Sequence, residues 1–330
     1  MEYVHLPNTD LRVSRVAMGC WGLSGDATWG PLDEGEAIAA VHAALDAGIQ
    51  FFDTAELYGD GVSEERLGKA VRGRRREAII ASKFNPEHAR AEQVTAACHR
   101  TLKRLGTDYL DLYQIHWPSR TVPLEETWAA METLQKQGKV RALGVCNFGV
   151  GDLGALLRLG RPAADQLPYS LLNRAVEFAI LPRCRAEGIG VLCYSPLQLG
   201  LLSGGFRTAD EVPEGRARTR HFSSHRPGTR HGEPGCEEET FAAIDAIRQV
   251  SHELDRPMAE LAIAWLLAQP AVSCVLVGIR TAQQARQNAA LDPSLDGATV
   301  ARLAQITEAV KQALGPNPDA WEPACRSRFR

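Results

Sequence analysis

Phe51-Phe52-Asp53-Thr54-Ala55-Glu56-Leu57-Tyr58-Gly59 is the stretch on which the reading of this chain turns. A short apolar run from Ile49 to Phe52, rich in β-formers, gives way at once to an acid, and a phenol follows at Tyr58. Such a run suits a buried strand, so Asp53 and Tyr58 fall where the chain leaves the sheet. Two later segments end in the same manner: Ala78-Ile79-Ile80-Ala81-Ser82 runs into Lys83, and Tyr109 to Ile115 runs into His116. An acid, a phenol, an amine and an imidazole at successive strand ends can together deliver a proton to a carbonyl as hydride arrives. A tyrosine with a pKa of about 10 is a poor acid at neutral pH. The Lys83 ammonium is expected to lower that value by favouring the phenolate, Asp53 to hold the lysine through a salt bridge, and His116 to orient the carbonyl or share the proton.

Outward from this stretch, strands alternate with helices. Glu2 to Leu6 and Leu11 to Val13 read as a hairpin capping the bottom of the strands and helices after it. Strands are expected at Val16 to Met18, Ile49 to Phe52, Ala78 to Lys83, Tyr109 to Ile115, Val140 to Val145, Ala163 to Leu167, Gly190 to Tyr194 and Val272 to Val277. Helices are expected near Gly35 to Ala47, opened by Asp33 and Glu36, and from Glu64 to Val71, with Ser63 as N-cap. Further helices are expected at Ala91 to Leu105, Leu124 to Gln137, Asp152 to Leu159, Glu177 to Glu187, Pro257 to Ala268 and Thr281 to Ala289. Eight such strand–helix units imply one α/β domain over residues 1–330, a closed (β/α)8 TIM barrel with an N-terminal β-hairpin and extra loops and helices at the C-terminal side. The rival, an open doubly wound sheet, calls for G-x-G-x-x-G after an early strand, and the chain has none. In a barrel, functional groups collect at the C-terminal strand ends, where all four candidates fall.

Composition sets bounds on partners. A net charge of -3 gives no general pull towards nucleic acid or anionic membrane. No run approaches the roughly 18 apolar residues of a membrane span, and the N-terminus lacks the basic and apolar regions of a signal peptide, so a cytoplasmic location is expected. The eight cysteines are scattered without C-x-x-C and read as reduced thiols, and no metal site is expected.

Asp53, Tyr58, Lys83 and His116, in this order on these strand ends, resemble the catalytic tetrad of the aldo-keto reductases. The resemblance covers nearly the whole chain, from Leu11-Arg12-Val13-Ser14 and Met18-Gly19 to Gly278-Ile279-Arg280 and Asn288. Within the family the chain is most similar to bacterial aldehyde reductases related to potassium channel beta subunits. The resemblance implies NADPH as cofactor and a small-molecule carbonyl as substrate. Gly144-Val145-Cys146-Asn147-Phe148 is similar to the family's G-V-S-N-F, which implies that Asn147 and, in place of serine, Cys146 face the nicotinamide carboxamide, with Gln166 on its other edge. A thiol is a weak donor, so one hydrogen bond is weakened there. Tyr194 matches the aromatic stacked on the nicotinamide, and Ser195, Leu197, Gly200 and Leu202 match the loop around the pyrophosphate. Gly278, Arg280, Gln284 and Asn288 match the adenosine end, with Arg280 placed for a 2'-phosphate, which suits its planar fork. The same resemblance also admits an NAD(P)-dependent sugar dehydrogenase running oxidatively, or a cofactor-sensing regulatory subunit.

Trp21, Trp29 and Trp117 follow strand ends on the functional side and are candidates for walling a substrate pocket, with packing against neighbouring loops as the alternative. From Phe206 to Gly235 the chain is polar and carries Arg216, Arg218, Arg220, Arg226 and Arg230. That connection reads either as a cover for cofactor phosphates or an anionic substrate, or as a solvated surface loop. Trp321 to Arg330 either closes the pocket or trails in solvent.

Overall fold

An antiparallel pair, β1 (Tyr3–His5) and β2 (Arg12–Ser14), sets Val4 opposite Val13 in the computed structural model, which describes residues 1–330. Eight parallel strands come next: β3 (Val16–Gly19), β4 (Phe51–Asp53), β5 (Ile79–Phe84), β6 (Leu110–Ile115), β7 (Val140–Cys146), β8 (Ala164–Pro168), β9 (Gly190–Tyr194) and β10 (Val272–Gly278). They pair in sequence order, and β10 closes the barrel by bonding both β9 and β3. This is the (β/α)8 fold, with the hairpin set apart from the barrel sheet.

Two cores result from the two-residue period of the strands. Ala17, Phe51, Ala81, Leu112, Ala142, Ala164, Leu192, Cys274 and Leu276 form an inner cluster with Leu6, Leu11 and Val13, so the hairpin plugs the barrel floor. Alternate residues such as Phe52, Ile80, Tyr113, Val145, Leu167 and Cys193 join the far larger cluster between barrel and helices. Carried one or two steps towards the strand ends, the inward period leads from Phe51 to Asp53, from Ala81 to Lys83 and from Leu112 through Gln114 to His116. It leads likewise from Ala164 to Gln166 and from Leu192 to Tyr194. One periodicity therefore fills the floor with apolar groups and arms the rim with polar ones.

Helix ends show what local chemistry does. Asp33 caps the helix Glu34–Asp46 by accepting from the N–H groups of Gly35 and Glu36. Ser63 does not cap the next helix: Val62–Ala70 starts after Gly61, whose φ of 93° glycine tolerates, and the buried Ser63 hydroxyl donates to the Cys20 carbonyl. Between β9 and β10 the structure has two helices, Glu237–Glu253 and Met258–Leu267, where only the second was expected. Two more, Gly297–Ile306 and Glu308–Leu314, come after the expected helix Ala282–Ala290. No helix is long and apolar enough to cross a membrane.

Candidate active site

Lys83 is fully buried on β5, and its ammonium has three protons to place. Nζ donates to Asp53 Oδ2 at 2.7 Å, to the Thr54 carbonyl at 2.9 Å and to Tyr58 Oη at 3.3 Å. The tyrosine oxygen is thus an acceptor towards the lysine, and its own O–H is left to donate elsewhere. The other Asp53 oxygen accepts from Gln166 Nε2 at 2.8 Å, so both carboxylate oxygens are held. The His116 ring stands edge-on to the Tyr58 ring, centroids 5.9 Å apart, and its Nδ1 has no protein partner. The tetrad predicted from three separate strand ends is one contiguous cluster.

The electrostatics of this cluster correct one expectation. Burial outweighs the Lys83 ammonium at Tyr58, and the phenol is pushed up to about 12 rather than lowered. Burial also works against the Lys83 charge, but Asp53 and Tyr58 more than offset it, and the lysine ends above its ordinary range. His116 is held well below 6.5 by burial, then by the charges of Lys83 and Arg328, so its imidazole is neutral at pH 7.

Beside the tetrad lies a shelf built from β7, β8 and β9. Asn147, in the left-handed region at φ 63°, donates from Nδ2 to the His116 carbonyl at 3.0 Å and accepts on Oδ1 from Tyr194 Oη at 2.8 Å. The Cys146 thiol points at Gln166 Oε1 across 3.7 Å, a long contact for a weak donor. Past Tyr194 the backbone turns left-handed at Ser195, Gln198, Leu199 and Gly200, with φ of 54°, 45°, 53° and 96°. A leucine held there is strained, a conformation that concentrates at ligand-binding turns.

A model of the Aldo/keto reductase family matches residues 15–308. The chain belongs to the aldo/keto reductase family. It is 35% identical over 290 residues to the aldo-keto reductase YhdN of Bacillus subtilis, covering 85% of each chain. It is 32% identical to the NADH-specific methylglyoxal reductase of Escherichia coli, over 94% of this chain and all of that one. An aldo-keto reductase of Klebsiella pneumoniae solved in complex with NADPH superimposes with a TM-score of 0.70 at 30% identity, over 90% of this chain and 92% of that one.

Most of the other predicted positions of this aldo/keto reductase are engaged with their neighbours. Trp21 stacks on Tyr58 at 6.1 Å, and Trp29 meets Trp21 edge-on at 5.5 Å, so both belong to the wall of the tetrad. Trp117 lies beneath Arg328 and against Phe329. Arg280 is not free: Nη1 donates to the Trp29 carbonyl at 2.5 Å and Nη2 to those of Gly30 and Pro31, at 3.1 and 2.7 Å. Gln284 turns back to accept from the Arg280 backbone N–H at 2.8 Å, while Gly278 is exposed and Asn288 half-buried.

The connection from Phe206 to Gly235 is packed, not a solvated loop throughout. Arg220 is buried against Glu233 and the carbonyls of Leu314 and Asn317, and the Arg216 guanidinium lies 5.2 Å over the Trp29 ring. Arg216 also stands beside Gly200, so this connection reaches across the left-handed turn. Residues not singled out from sequence also belong here. Thr54 supplies a carbonyl to Lys83, and Asp319 and Arg328 come in from the far end of the chain. The i, i+1 position of Thr54 beside Asp53 was a usable signal; the arrival of Arg328 had none.

Proposed function

We propose that this aldo/keto reductase reduces an aldehyde or ketone to the alcohol with NADPH, with Tyr58 as general acid. The observation that carries this reading is the direction of the Lys83 bonds, which makes Tyr58 Oη an acceptor on the protein side and leaves its proton for a substrate oxygen. Bound NADPH supplies the hydride. The protein's part is to keep Tyr58 protonated, orient the carbonyl and exclude water. A phenol at about 12 is fully protonated at neutral pH and is still a stronger acid than the alcohol it would form, so proton transfer to a developing alkoxide runs downhill. Neutral His116 can hydrogen-bond the carbonyl oxygen without competing as an acid. Asn147, Gln166 and Tyr194 form one hydrogen-bonded shelf with the tetrad and suit the amide and ring of a nicotinamide.

A second reading, preference for NADH, is favoured by the three carbonyls that already occupy Arg280. Tryptophan-quenching titrations with NADPH and NADH decide. Under the first reading Arg280 exchanges those carbonyls for the 2'-phosphate, NADPH binds at least tenfold tighter, and Arg280→Ala abolishes the difference, worth about 1.5–3 kcal/mol for bonds to a charged group. Equal or tighter binding of NADH assigns Arg280 to fastening residues 29–31; binding of neither overturns the reductase reading.

The pH dependence carries a sign. Activity in the reducing direction needs Tyr58 protonated and His116 neutral, so kcat/KM should stay level through pH 7–9 and fall only on the alkaline side, towards about 12. An alkaline limb centred near neutral pH would exclude Tyr58 as the acid.

A further inference from the structure

Beyond helix Glu308–Leu314 the chain crosses back to the ends of β6 and β7. Arg328 lays its guanidinium 3.7 Å over the Trp117 ring, and Phe329 packs edge-on against the same ring at 5.4 Å. Arg330 and Asp152 exchange two bonds of 3.0 Å, backbone N–H to carboxylate and backbone N–H to carbonyl. Gly149 and Gly151 make room for this backbone, since a Cβ on either would press into Arg330. Trp117 follows His116, and Gly149 to Asp152 follow Asn147, so residues 328–330 rest on the two turns that carry the carbonyl-orienting and nicotinamide-facing groups.

The guanidinium is used on one side only. Asp319, fully buried, accepts from Arg328 Nε at 2.7 Å and Nη2 at 2.8 Å, which fixes one edge of the fork. Nη1 has no acceptor in the protein, and the side chain is 37% exposed. A planar donor set anchored along one edge presents the other in a fixed direction. The Arg328 charge is felt by both His116 and Tyr194, whose backbone carbonyl and hydroxyl, respectively, are bridged by the Asn147 side chain. Arg120, the nearest further cation on these turns, is committed to Asp152, so one free edge is on offer. That suits a carboxylate monoanion better than a phosphate dianion.

We propose that Arg328 is a specificity-determining residue, which selects carbonyl substrates bearing a carboxylate by donating its free Nη1 edge to that group while the carbonyl lies at Tyr58 and His116. The inference rests on the reductase reading above. Because Asp319 balances the charge at long range, the selection acts at contact and appears in KM more than in kcat.

The test compares NADPH-dependent reduction of butanal with 4-oxobutanoate, and of benzaldehyde with 4-carboxybenzaldehyde. A charge-assisted bond predicts roughly tenfold or greater preference for each acid, through KM, in the wild type. Arg328→Gln should abolish that preference while kcat/KM for butanal falls at most about threefold, and Arg328→Lys should restore part of it. The double variant Asp319→Asn/Arg328→Gln, which leaves no stranded carboxylate, should behave like Arg328→Gln. Equal preference in wild type and Arg328→Gln, or an equal loss for butanal and 4-oxobutanoate, overturns the proposal and leaves Arg328 as a fastening for residues 315–330. Butanal turnover by the wild type shows that the reductase reading stands independently; without any carbonyl turnover both readings fall.

Discussion

Tyr58→Phe is expected to lose about three orders of magnitude in kcat for aldehyde reduction while binding NADPH as tightly as the wild type. The substitution deletes one oxygen and keeps the ring, so the stacking on Trp21 at 6.1 Å and the edge contact with His116 persist. What disappears is the only hydroxyl in the tetrad. Lys83 cannot replace it, since its remaining bonds point to Asp53 and Thr54 and its pKa lies above the ordinary lysine range. His116 cannot replace it either: held well below 6.5, it has no proton to spare at neutral pH beyond the one a neutral ring keeps. Steady-state turnover with cofactor titration on the same preparation separates the two effects. A loss smaller than tenfold would mean that the proton comes from elsewhere.

Lys83→Met is expected to be among the most damaging substitutions for stability, costing about 3–5 kcal/mol, because it strands a buried carboxylate. Asp53 is 3% exposed and keeps only the Gln166 amide once Nζ is gone. Adding Asp53→Asn should recover much of the loss, since the pair then leaves together and no charge stays behind. Denaturant midpoints for wild type, both single variants and the double variant give the coupling directly. The sign with pH comes from the raised lysine: its stabilising effect is complete below the unfolded value near 10.5 and is lost only as pH rises through the higher folded value. The gap between wild type and Lys83→Met should therefore hold level from pH 7 to 9. Additive single losses, with no recovery in the double variant, would show that the two charges are not coupled.

The strand ends were legible in the sequence because the inward period of each strand is short and ends on a polar group: Phe51 to Asp53 and Ala81 to Lys83 are single steps. The helix Glu237–Glu253 was overlooked although Thr240, Ala243, Ile244, Ile247 and Val250 carry its buried stripe at helical spacing. The three glutamates of its first turn follow closely on the polar stretch that ends at Gly235, and acids in that position favour a helix start. The engagement of Arg280 had no local signature, because its acceptors are plain carbonyls some 250 positions earlier in the chain. The direction of the Tyr58 shift was beyond sequence for another reason: the ammonium was visible, but the desolvation that outweighs it depends on Trp21, His116 and their neighbours closing around the ring. Seating of Arg328 on Trp117 likewise depends on how a long, irregular segment crosses the barrel.

The closure of the barrel bears on how the protein is made. Val16 pairs with Val275, and β10 lies between the earliest and the latest of the other barrel strands. During synthesis β3 therefore waits with an open edge until more than three-quarters of the chain has emerged. Contacts of such long sequence separation slow folding, and open parallel edges are sites of misassembly in the meantime. The short strands, of three to seven residues, offer a foreign chain little edge to grip while they wait.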